Sequence, residues 1–224
     1  MSKSDQNFIA AAESRWITLL FDIYVRTLFR RRFKYVRVDL HYQPGPENKS
    51  IYYLNHTSWW DGLIPLILNR KIFRQNARAM MEDKQMKKYP FFKKLGAFSV
   101  NTDDTASALP SLRYAAESLQ RSRSALYIYP EGKIMPFTTK PDFKKGLGWI
   151  SNQCPAADVV PIGIFMHTAR YDKPELFIRI GKPVAADHSL DSGTLNEVFE
   201  LEMGNLLRNL KKDAYHYPDR FKAI

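Results

Sequence analysis

One cysteine in 224 residues leaves no intramolecular disulfide to build. Cys154 therefore reads as a small buried hydrophobe in a protein of a reducing compartment. It has no cysteine partner for a zinc pattern, and His41, His167, His188 and His216 form no spaced ligand set with Asp or Glu. No metal-dependent step is expected. Long apolar runs are missing as well. The most apolar early segment, residues 16–29, is interrupted by Thr18, Asp22, Arg26 and Thr27, so nothing reaches the ~18 residues that a membrane-spanning helix needs. Residues 1–6 lead into no apolar signal core, which argues against a secretory signal. Negative charge is scarce: 23 acidic residues face 34 Lys and Arg, for a formal net charge of +11. That excess favours an anionic partner, whether nucleic acid, a membrane surface, or an acidic carrier or cofactor. Internal repeats, linkers and low-complexity tracts are also lacking, which predicts one domain.

What is present is material for a core. Hydrophobic residues make up 45% of the chain and aromatics 13%, enough to exclude a disordered protein. Residues 8–32 read as one amphipathic helix. Arg15, Thr18, Asp22 and Arg26 recur at three- and four-residue spacing as a narrow polar stripe, and apolar side chains fill the rest. The basic cluster Arg30, Arg31, Arg32 and Lys34 follows at once. Two readings stand: an interfacial helix on anionic lipid, or a helix docked on the domain's own core with its arginines solvated. Residues 1–34 thus form an N-terminal segment ahead of a main domain, 35–224.

Within that domain, strands are expected at 35–42, 51–54, 77–81, 95–100, 125–129, 158–166 and 176–180. Helices are expected from the turn at His56 to about 69, and over 107–121, 146–152 and 195–211. The alternation predicts an α/β fold. Residues 70–94 carry nine Lys or Arg against only Glu82 and Asp83, a density that suggests anion binding.

The chain is organised around Asn55-His56-Thr57-Ser58-Trp59-Trp60-Asp61-Gly62, a polar turn between two apolar runs. Such strand-to-helix junctions place side chains at the carboxyl edge of a sheet, where open α/β folds carry their chemistry. An imidazole such as that of His56 suits proton transfer, and Asp61 is the one carboxylate in the turn to orient it and stabilise its cation. A structural role competes. Ser58-x-x-Asp61 before an apolar run also fits a helix capping box, although Pro65 would then fall inside the helix and argues partly against it. A second strand-end carrying polar groups is Tyr129-Pro130-Glu131-Gly132-Lys133.

Taken together, these segments resemble the glycerolipid (lysophospholipid) acyltransferase family. Asn55-His56-Thr57-Ser58-x-x-Asp61 looks like its first motif, Tyr129-Pro130-Glu131-Gly132 its third and Val160-Pro161-Ile162 its fourth, with Phe143-Lys144-Lys145-Gly146 between them as in relatives. The resemblance covers roughly residues 50–165. It implies a glycerol-3-phosphate acyltransferase-like fold with a mixed central sheet flanked by helices. It also implies transfer of a fatty acyl group from acyl-CoA or acyl carrier protein to a lipid hydroxyl, with His56 as general base and Asp61 as its partner. No further cofactor is implied. Glu131 and Gly132 are then expected to shape the acceptor site, and Lys133 and Lys84 to meet phosphate. The protein is expected to lie peripherally on the cytoplasmic face of a membrane.

Two departures bear on the acceptor. Asn101 stands where the second motif normally ends in arginine, and Lys133-Ile134 follows Glu131-Gly132 where Thr-Arg is common. A lysine point charge does not replace a bidentate guanidinium, which weakens the case for a phosphorylated acceptor. Asn101 is kept as a candidate substrate-binding residue. Glu131-Gly132-Lys133 also resembles a tafazzin-like branch that moves acyl chains between phospholipids. A sugar or isoprenoid hydroxyl is an alternative acceptor. From other classes, a non-catalytic membrane-surface protein and a nucleic-acid-binding protein compete, but no helix-turn-helix, RNP-like or zinc-finger spacing supports the last.

Overall fold

The apolar runs of the sequence pair into one eight-stranded sheet in the computed structural model, which describes residues 8–101 and 105–224. In chain order the strands are β1 (Tyr35–Leu40), β2 (Lys49–Leu54), β3 (Asn76–Glu82), β4 (Ala97–Val100), β5 (Ser124–Ile128), β6 (Ala157–His167), β7 (Glu175–Ile180) and β8 (Lys222–Ala223). Across the sheet they run β4-β3-β5-β2-β6-β7-β1-β8. From β4 to β6 every neighbour is parallel, whereas β7 opposes β6 and β8 opposes β1. The expected mixed sheet is therefore what forms.

β2 is central and buried on both faces, which is why it reads as a continuous apolar run. Its side chains alternate. Ile51 and Tyr53 enter the core beneath helices α4 (Thr105–Ser118), α5 (Gly146–Gln153) and α6 (Ser192–His216). Tyr52 and Leu54 enter the opposite core beneath α1 (Arg15–Arg32) and α2 (Ile64–Leu68). The remaining helix, α3 (Asp83–Lys88), falls within the basic stretch. Cys154 is buried and free, and burial pushes its thiol up.

Several elements differ from the sequence expectation. The N-terminal helix begins at Arg15, not residue 8. Residues 9–14 instead lie along the outer edge of the sheet: Ile9 N–H donates to Ser99 Oγ (2.7 Å), Ser99 N–H donates to Ile9 O (2.9 Å), and Ala12 and Ser14 donate to Lys93 O and Lys94 O. Backbone groups satisfied by a strand edge have no need of a helix, and the edge is covered in return. The helix expected after His56 is composite: a 3-10 turn Trp59–Leu63, then α2, then a π turn Asn69–Phe73. Pro65 falls in the first turn of α2, where its missing N–H costs nothing. It is therefore compatible with a cap at Ser58, contrary to the sequence argument. β8 and α3 were not expected. β4 starts at Ala97 because Leu95 closes a preceding 3-10 turn.

α1 is inverted relative to an ordinary surface helix. The centre of its polar stripe faces the protein, although Arg15 is exposed: Asp22 is buried and pairs with Arg26 (3.0 Å) and Arg70 (3.9 Å), beside buried Val25 and Phe29. Trp16, Leu20, Ile23 and Tyr24 face outward. Among the described residues no helix is long and apolar enough to cross a membrane.

Candidate active site

At the end of β2 the backbone must leave the sheet, and Asn55 manages the exit. Its buried side chain takes the place of a strand residue opposite β6. Nδ2 donates to Ile164 O (3.0 Å), and Oδ1 accepts from Ile164 N–H (2.7 Å). The main chain is thereby free to turn at His56 while β2 and β6 stay fixed. The sequence reading quoted Asn55 but assigned it no role, since its partner lies 109 residues away.

The turn that follows closes on Asp61. Its carboxylate, fully buried, accepts from Thr57 N–H (2.5 Å), Ser58 N–H (2.7 Å), Ser58 Oγ (2.7 Å) and Thr57 Oγ1 (3.3 Å). His56 Nδ1 lies 3.3 Å from the same Oδ2. The capping role and the orienting role, rivals in the sequence, thus belong to one carboxylate. An acceptor at Nδ1 assigns the proton there and leaves Nε2 as the basic nitrogen. The His56 side chain is 20% exposed, and Nε2 has no partner among the described residues.

β5 runs parallel beside β2, so its own exit lies at the same sheet edge. There Gly132 closes a turn by donating to Tyr129 O (2.9 Å), with φ +70°. A Cβ at Gly132 would meet Lys144 Cε at 3.0 Å, so glycine answers both the left-handed backbone and the close approach. Glu131, 7% exposed, accepts the N–H of His56 on Oε2 (3.1 Å). Burial raises its carboxyl pKa above the ordinary value, opposed by the hydrogen bond from His56. Met135 N–H donates to His56 O (2.8 Å), so the histidine's peptide is held on both sides by the segment that follows β5. Tyr129 completes the cluster. Its hydroxyl donates to Asp61 O (2.5 Å), its ring lies 4.5 Å from that of His56, and burial beside Asp61 raises its pKa well above the usual value.

The sequence-expected residues divide accordingly. His56, Asp61 and Glu131 meet directly, with Gly132 one residue beyond. Lys133 is adjacent but exposed. Lys84, on α3 after β3, and Asn101, after β4, share the same carboxyl edge because the strands are parallel. At ~4.8 Å per strand they stand roughly 10 and 14 Å from the β2 axis. Tyr129 and Asn55 were the residues left without roles. Only their positions at two strand ends hinted at them.

A buried carboxylate behind a partly exposed imidazole, at the carboxyl edge of a parallel strand array, is an arrangement able to carry acid–base chemistry in an α/β fold. The chain belongs to the Acyltransferase family, whose model matches residues 34–165, a span that includes every residue of the cluster. It is an acyltransferase. Among solved structures it is similar to the 1-acyl-sn-glycerophosphate acyltransferase PlsC from Thermotoga maritima. The two share 20% identity over 88% of this chain and 80% of that one, at a TM-score of 0.58, which shows a shared fold. Comparison with curated proteins finds no match.

Proposed function

We propose that this enzyme moves a fatty acyl group from the thioester of acyl-CoA or acyl carrier protein to a hydroxyl of a lysophospholipid or related lipid, at a membrane surface. The observation that carries the reading is the His56–Asp61 pair, with Nδ1 against a buried carboxylate and Nε2 open. In the proposed step Nε2 removes the acceptor hydroxyl proton as the oxygen attacks the thioester carbonyl. The C–S bond then breaks, and the thiolate recovers the proton from the imidazolium. Asp61 stabilises that cation. Glu131 holds the His56 peptide and so fixes the ring's position, and with Gly132 it shapes the acceptor site. No covalent enzyme intermediate is needed, since no Ser or Cys stands in a nucleophile elbow.

The lysophospholipid acceptor is supported by the likeness in fold to a 1-acyl-sn-glycerophosphate acyltransferase. Asn101 and Lys133, in positions where arginine is common in relatives, favour a second reading in which the acceptor hydroxyl is not phosphorylated. Surface residence is supported by α1, which turns an apolar, aromatic face outward beside Arg30 and Arg31. The cytoplasmic face is proposed because thioester donors are supplied there. Of the basic stretch 70–94, the lysines of α3 at the carboxyl edge of the sheet suit an anionic donor.

A mass-spectrometric acceptor screen tests the proposal: labelled acyl-CoA and acyl carrier protein, liposomes, and His56→Ala as control. Product on lysophosphatidic acid that needs His56 supports the first reading, and product only on other hydroxyls the second. Transfer undiminished in His56→Ala removes the general-base role.

A further inference from the structure

The opposite edge of the sheet carries a second built site. A cleft of about 430 Å³ lies among the loops that enter β2, β3 and β5, and Lys71, Arg74 and Arg123 line it above Pro44, Pro46 and Phe73. No carboxylate lines it. None of the three cations makes an ion pair or side-chain hydrogen bond with the described residues, although many arginines elsewhere are paired, as Arg179 is with Asp39 and Asp213. Because β2 has six residues, the cleft and His56 stand about 20 Å apart at opposite ends of one strand. The cleft is therefore no part of the acyl-transfer centre.

Two features indicate construction rather than chance. Arg74 (φ 55°) and Arg123 (φ 54°) are the non-glycine residues with left-handed backbone among the described residues, and both line this cleft. Glycine or asparagine adopts that conformation more cheaply, so a strained arginine points to a use for its side chain. The loops are also tied together from beneath. Buried Gln75 donates to Asn48 O (2.9 Å) and Ser50 Oγ (3.1 Å), accepts from Tyr52 OH (2.8 Å), and holds Asn69 through its own backbone. Asn76 N–H donates to Arg123 O (2.8 Å). The cations are thus presented by a rigid frame, which lowers the ordering cost of binding. An apolar floor formed by Phe73, itself stacked on Tyr52 at 4.2 Å, completes a pocket of ligand size.

We propose that this cleft binds a phosphate-bearing ligand, a phosphomonoester or diphosphate, separately from the catalytic site. Guanidinium groups bind phosphate oxygens in bidentate fashion, and Lys71 adds a third positive charge. The ligand's source is either a soluble phosphorylated molecule or an anionic lipid headgroup.

Calorimetric titration of the full chain with inorganic pyrophosphate at low salt tests the proposal. The wild type is expected to bind one equivalent at this cleft. Arg74→Gly/Arg123→Gly is expected to weaken affinity by about a hundredfold, roughly tenfold for each charge-assisted contact. Its unfolding midpoint should not fall, because glycine accepts the left-handed backbone. Lys71→Gln, an exposed change, supplies a second variant with a several-fold loss. Selective loss of the double variant's binding to phosphatidic acid vesicles, with phosphatidylcholine vesicles unaffected, identifies the lipid source. Loss of pyrophosphate binding alone identifies the soluble one. Absence of pyrophosphate binding to the wild type, or unchanged affinity in either variant, overturns the assignment.

Discussion

The backbone N–H of His56 donates to the side chain of Glu131 at 3.1 Å, although the two residues lie 75 apart in sequence. Two carboxyl groups therefore serve one histidine in different ways: Asp61 faces the ring, and Glu131 holds the peptide. Their environments differ just as much. Asp61 is surrounded by donors, whereas buried Glu131 meets a single donor, the His56 N–H, among the described residues.

Asp61→Asn should damage fold and activity together. An amide keeps one acceptor oxygen but turns N–H donors toward Thr57 and Ser58 N–H groups, leaving buried donors opposed. Thermal or urea unfolding should show a loss of roughly 2–4 kcal/mol. Acyl transfer, measured by thiol release, should fall about a hundredfold or more in the remaining folded protein. A variant of wild-type stability would show that the turn does not depend on this carboxylate.

Glu131→Gln separates geometry from charge. The amide oxygen still accepts from His56 N–H, so transfer should persist within about tenfold if Glu131 only positions the histidine. The pH dependence has a definite sign. The folded pKa of Glu131 lies above the ordinary value of 4.5 because of burial. The native state therefore holds the proton more tightly than the unfolded chain. Its stabilising contribution is complete below 4.5 and is lost as pH rises through the folded value. Unfolding titrations should show the wild type losing stability relative to the variant across that window, with glutamine at least as stable at neutral pH.

Gly132→Ala should be poorly tolerated. Alanine must adopt φ +70° and place its Cβ 3.0 Å from Lys144 Cε. A loss of about 1 kcal/mol or more is expected from the backbone alone. Displacement of the Glu131 turn should lower kcat as well, and chemical denaturation with steady-state kinetics on the same preparation measures both.

The outward face of α1 offers a test that leaves the core untouched. Trp16, Leu20 and Tyr24 are 77%, 66% and 55% exposed and follow one another at four-residue spacing. Replacing all three by serine should leave the unfolding midpoint unchanged. Vesicle affinity in a flotation assay should weaken by about tenfold for each side chain withdrawn from lipid. Unchanged flotation would take α1 out of the membrane contact.

Local pattern alone reached much of this molecule. The apolar runs that became β2, β5, β6 and β7 lay within a residue or two of their final limits, since a strand buried on both faces is written in sequence as a continuous apolar run. The His56–Asp61 pair was legible for the same reason: both residues belong to one short turn. Ser58, Pro65 and Asp61 were legible too, but their relation was not. A 3-10 turn between cap and α-helix reconciles them, and a residue pattern does not distinguish that turn from the start of a helix.

Tertiary structure decided the rest, wherever the partner is distant in the chain. Residues 9–14 followed the edge of β4 instead of extending a helix, because Ser99 and Lys93 answered their backbone groups. The centre of the polar stripe of α1 turned inward because Arg70 and the turn before β4 met it there. Asn55 found Ile164, Glu131 found His56, and Arg74 came to share a cleft with Arg123 only once β3, β5, β2 and β6 had taken adjacent places in the sheet. Periodicity records which face of an element is apolar. Strand order, set by the burial of two whole sheet faces at once, decides which side chains meet.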